Sequence, residues 1–80
     1  MPVVLRQAGV RFFFYSNEGQ PPEPPHIHVR KAGAEAKFWL TPEVKLARND
    51  GFDSPTLRQL AKMVRDNRAH LERMWHEHFA

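Results

Sequence analysis

Between Val3 and Leu40 apolar and polar side chains alternate with period two, in runs rich in β-branched and aromatic residues, and this alternation predicts strands. Two Ala-Gly pairs and a proline-rich stretch divide the half into four of them, at about Val3–Gln7, Val10–Ser16, His26–Lys31 and Ala34–Leu40. Ala8-Gly9 and Ala32-Gly33 have the length of tight hairpin turns. Asn17 to Pro25, with its two proline pairs, offers few ladder donors and reads as a stiff connecting loop. Thr41-Pro42 ends the fourth strand, and Glu43–Arg48 is expected to form a short fifth before Asn49-Asp50-Gly51 turns the chain. Ser54 followed by Pro55 starts a helix, since the hydroxyl can cap a free amide and proline needs no hydrogen bond at the first helical position. One helix is expected from about Pro55 to Phe79, with Leu57, Leu60, Ala61, Val64, Leu71, Trp75 and Phe79 on one side. The pattern predicts a single α+β domain over 1–80: an antiparallel sheet of four to five strands with one long C-terminal helix packed on one face.

The hairpin turns fix which side chains share a face. A two-residue turn at Ala32-Gly33 pairs Arg30 with Glu35, Val29 with Ala36, His28 with Lys37, Ile27 with Phe38 and His26 with Trp39. The same geometry at Ala8-Gly9 sets Leu5 against Phe12, Val3 against Phe14, Val4 against Phe13 and Arg6 against Arg11. Ile27, Val29, Ala36 and Phe38 then look towards the helix. If both hairpins join one sheet, the other face collects Arg6, Arg11, Phe13, Tyr15, His26, His28, Arg30, Lys37 and Trp39.

Composition sharpens this picture. Eighty residues hold one domain, and the chain has no cysteine, so neither a disulfide nor a thiolate zinc site supplements a small core. A partner chain, either a second copy or another protein, is the expected supplement. No apolar run is long enough to span a membrane and the first residues lack a signal-peptide layout, so a cytoplasmic protein is expected. Twelve Lys and Arg against nine Asp and Glu leave a formal charge of +3, which suits a polyanionic partner. Guanidinium and ammonium groups neutralise phosphates and aromatic faces stack on unpaired bases, so Arg6, Arg11, Phe13, Tyr15, Arg30, Lys37 and Trp39 form a candidate surface for single-stranded RNA. A solvated sheet face decorated with Arg, Lys and Tyr competes with that reading.

His26 and His28 stand on one face of a strand, about 7 Å apart. Such a pair can serve as general base and general acid in metal-independent RNA transesterification, with Arg30 or Lys37 stabilising charge on the phosphorus oxygens. It can instead supply two metal ligands, a third coming from His76, His78, Glu18 or Glu23, or simply stack and hydrogen-bond. His76 and His78, two residues apart on a helix, diverge too far to hold one metal together. Arg58, Lys62, Arg65 and Arg73 are a second basic stripe, on the exposed side of the helix. Met63, Met74, Asn67 and His70 flank the helix core face and could serve as a dimer seam. No phosphate-binding glycine loop, carboxylate pair or Ser or Cys nucleophile motif is present, and no cofactor is expected.

Arg11-Phe12-Phe13-Phe14-Tyr15-Ser16, Pro24-Pro25-His26-Ile27-His28-Val29 and Glu35-Ala36-Lys37, with the Met1-Pro2 start and the late Leu71 and Trp75, resemble the small bacterial family called domain of unknown function 4160. The resemblance implies one half of a two-gene toxin–antitoxin pair, a cognate small protein encoded nearby, and an RNA target. His26 and His28 are the positions that carry over. The resemblance implies a further histidine just before the proline pair in many relatives, where this chain has Glu23, which weakens a three-histidine metal site. The resulting expectation is a toxin-like component that binds RNA and cleaves it through His26 and His28, with a non-catalytic protein-interaction module as the alternative and a metal-binding protein third.

Overall fold

Ala8 and Gly9 both have positive φ, at 53° and 76°, and so do Ala32 and Gly33, at 50° and 84°. Two successive left-handed residues twist a two-residue loop to match the strands it joins, so each Ala-Gly pair closes a hairpin. A computed structural model describes residues 3–16 and 23–79, and it places five antiparallel strands in chain order in one open sheet. These are β1 (Val3–Gln7), β2 (Val10–Phe13), β3 (His26–Lys31), β4 (Ala34–Trp39) and β5 (Lys45–Asp50), followed by α1 (Ser54–Asp66) and α2 (Arg68–Phe79). Most of the expected loop at 17–25, and Glu18 with it, lies outside the described residues.

The β3–β4 register is the one the turn dictates, from Lys31 opposite Ala34 to His26 opposite Trp39. In the β1–β2 hairpin Arg6 faces Arg11 and Leu5 faces Phe12 as expected, but a bulge at Val4 brings Val3 opposite Phe13 rather than Phe14. The helix layer meets the strand there: His70 Nε2–H donates to the Val4 carbonyl at 3.1 Å, and Arg73 donates to His70 Nδ1 at 3.3 Å. β2 stops at Phe13, three residues earlier than the alternation suggests. β5 runs Lys45–Asp50 rather than Glu43–Arg48, with its own bulge opposite Lys37 and Phe38.

The expected single helix is two. Asn67 interrupts it with φ −108° and ψ 11°, donating through Nδ2 to the Met63 carbonyl at 2.8 Å and to Gln7 Oε1 at 3.0 Å. An amide side chain that satisfies itself on the backbone and on a neighbouring strand favours a break over a continuous helix. Asp53, not Ser54, caps α1, accepting from the Thr56 amide at 2.9 Å, and Pro55 sits in the first turn. Asn67 and His70 thus dock on β1, and Met63 and Met74 pack against the core.

Leu60 and Val64 of α1 and Leu71 and Trp75 of α2 share one apolar cluster with Val10, Phe12, Phe14, Ile27, Val29, Ala36, Phe38 and Leu40. Burying a Leu, Ile, Val or Phe side chain contributes about 1.5–3 kcal/mol each, so this cluster dominates stability. No helix among the described residues is long and apolar enough to cross a membrane.

Candidate nucleic-acid interface

Strand pairing lines up the outer face, the one alternating with the core, in rows across the sheet. One row reads Arg6, Arg11, Arg30, Glu35, Asp50 from β1 to β5, each residue directly opposite the next. The next reads Val3, Phe13, His28, Lys37, Arg48, and a third holds His26, Trp39 and Lys45. All nine side chains expected on this face stand on it or, for Tyr15, fold over it. Adjacent strands are about 4.8 Å apart, so the three arginines are immediate neighbours whose like charges repel. Among the described residues the ion pair in this trio belongs to Arg30, whose Nη2 lies 3.1 Å from Glu35 Oε1, while Arg6 and Arg11 are exposed and meet no carboxylate.

The histidines are not displayed. His26 is fully buried and His28 is 3% exposed. Phe13 stacks on the His28 ring at 5.5 Å, Tyr15 meets it edge-on at 4.6 Å, and His26 lies 5.3 Å away, turned nearly perpendicular. His26 packs in turn against Trp39 at 5.6 Å and against Trp75 of α2 at 4.6 Å, so it is where the helix layer and the ring cluster meet. Its Nδ1 lies 3.0 Å from the Pro24 carbonyl, an acceptor, which puts the proton on Nδ1. The sequence alone places these rings on one face; it does not reveal that aromatic neighbours enclose them.

The group the sequence reading undervalued is Glu35. Its carboxylate, 12% exposed, accepts from the Tyr15 hydroxyl at 2.8 Å and is ion-paired with Arg30 Nη2 at 3.1 Å, with His28 Nδ1 at 3.7 Å and Arg48 Nη2 at 3.9 Å. Burial, and then the bond and charge of Glu35, hold the Tyr15 hydroxyl protonated above the ordinary tyrosine range. The Arg30–Glu35 pairing follows from the turn; Arg48 enters because β5 lies two residues later than its sequence suggests, which sets Arg48 opposite Lys37. Lys37 pairs with Glu23 at 3.2 Å and lies over the Trp39 ring at 4.4 Å. Among the described residues no three His, Asp or Glu side chains come together as a metal shell.

Comparison with protein families supports the family itself. Residues 9–76 match the family described as Domain of unknown function (DUF4160). The chain belongs to that family. No curated protein and no solved structure matches it.

Proposed function

We propose that this DUF4160 chain is the toxin-like member of a bacterial toxin–antitoxin pair, acting in the cytoplasm, and that it binds RNA on the outer face of its sheet. The observation that carries the reading is the row Arg6–Arg11–Arg30, three guanidiniums on three adjacent strands. Such a row costs stability in the absence of an anion and matches the phosphate backbone of a single strand. Trp39, half-buried beneath Lys37, offers a ring edge for a base.

Cleavage is the stronger version, with His26 and His28 as general acid and base. An imidazole in that role must touch the reacting oxygens. Both rings are enclosed, so cleavage requires the Tyr15 cover over His28 to open, whereas binding does not. The geometry therefore favours binding. A second reading, docking of a cognate small protein, draws on β5, an edge strand exposed along its whole length with Leu46 45% exposed.

Inducing the chain in bacteria with and without the adjacent gene, and crosslinking it to RNA in the cell, tests the proposal. Growth arrest relieved by the neighbour, with RNA crosslinks lost in Arg6→Ala/Arg11→Ala/Arg30→Ala, is expected. Crosslinks that survive the triple substitution, or none in the wild type, contradict it.

A further inference from the structure

Glu35 stands in the arginine row at the place where the positive charges stop. Its surroundings are rich in donor groups for a single carboxylate: two guanidiniums, from Arg30 and Arg48, and the Tyr15 hydroxyl, with the His28 ring 3.7 Å away. Planar guanidinium forks joined by O–H and N–H donors are the groups that bind the two non-bridging oxygens of a phosphodiester. Arg30, moreover, is incompletely satisfied where it stands. Its Nη2 is ion-paired with Glu35, while its Nε is buried and has no hydrogen-bond partner among the described residues. A buried N–H in that state costs free energy and is recovered if the guanidinium turns towards a new acceptor.

We propose that Glu35 is an internal stand-in for the RNA phosphate: it holds Arg30 in the free protein, competes with the phosphodiester for that guanidinium, and thereby sets the affinity of the face for RNA. The inference rests on the RNA-binding reading. A phosphate arriving over Arg6 and Arg11 draws Arg30 into line with them and gives its Nε–H an acceptor, while Glu35 keeps Tyr15 and the nearby Arg48. The carboxylate therefore opposes binding in two ways, by occupying Arg30 and by repelling the incoming anion. This is the reverse of a brace, which organises the arginines for the ligand and whose loss weakens binding.

Fluorescence anisotropy of a labelled single-stranded oligoribonucleotide, at one fixed ionic strength, separates the two roles. Glu35→Gln, nearly isosteric and uncharged, is expected to bind about fivefold tighter or more than the wild type, the scale of one removed charge at close range. In an Arg30→Ala background the same substitution should change affinity much less, because the competition has lost its object. Equal or weaker binding by Glu35→Gln, with the wild type binding normally, overturns this proposal alone. Failure of the wild type to bind RNA overturns the RNA-binding reading and this proposal with it. Should Glu35→Gln unfold, the Arg30 Nε–H resonance of the wild type carries the test. It must shift when RNA is added, and a resonance that stays in place overturns the proposal.

Discussion

The two faces of the sheet are both buried along β3, and by different chemistry. On one side Ile27 and Val29 are covered by apolar residues that the helices bring from far along the chain, Leu60, Val64, Leu71 and Trp75. On the other His26 and His28 are covered by the rings of Phe13, Tyr15 and Trp39, with Trp75 of α2 reaching His26 at its edge, and His28 lies beside a polar network centred on Glu35. Non-directional burial supplies most of the stability of the first face. The second gains less from burial, because each polar atom it encloses needs a partner, but its geometry is more tightly specified. A face built that way can hold cations in register for an anion, and a purely apolar one cannot.

Substitutions should expose the contrast in stability first. Phe38→Ala, in the helix-side cluster, is expected to cost about 3–5 kcal/mol, a large share of the ~4–12 kcal/mol a chain of this size has. Urea denaturation reads it, and a loss below about 2 kcal/mol would mean that this face is not the main source of stability. Tyr15→Phe keeps the ring over His28 and removes only the hydroxyl given to Glu35, so the expected loss is about 1–2 kcal/mol. A loss as large as that of Phe38→Ala would erase the distinction between the faces.

A smaller effect, of opposite sign, is expected in the turn that serves both faces equally. Ala32 has φ 50°, a region that Asn or Gly adopts with less strain, and Ala32→Asn should raise stability by about 0.5–1 kcal/mol in the same assay. The smallest lies outside both faces. The Thr56 hydroxyl and amide hold the Asp53 carboxyl below its ordinary 3.8. A folded-state value below the unfolded one means that the cap stabilises above the ordinary value and is lost as pH falls through the folded one. Asp53→Ala should therefore lower the melting temperature slightly at neutral pH and leave it unchanged in strong acid. Tyr15, shifted upward, has the opposite sign: its contribution is complete below pH 10 and fades as pH rises through the folded value.

Much of this contrast was legible in the sequence. The Ala-Gly turns determine the β3–β4 register, and with it the sorting of Ile27, Val29 and Phe38 from His26, His28 and Lys37. What escaped depends on contacts between distant segments. Asn67 looks like an ordinary helical residue until Gln7 is beside it, and Val4 bulges where His70 reaches its carbonyl. Of the outer face, which side chains stand on it was legible and their exposure was not. Period-two alternation says which face a histidine takes, and nothing about rings folding over it. Glu35 became central because Tyr15 and Arg48, 20 and 13 positions away, converge on it.

The outer face as the RNA surface is tested most directly by following the backbone amides by NMR as a single-stranded oligoribonucleotide is added. The account predicts shifts concentrated at Arg6, Arg11, Arg30 and Trp39, with Arg58, Lys62 and Arg65 on the helix unmoved. Shifts concentrated on that helix stripe, with β1 to β3 unchanged, would contradict it.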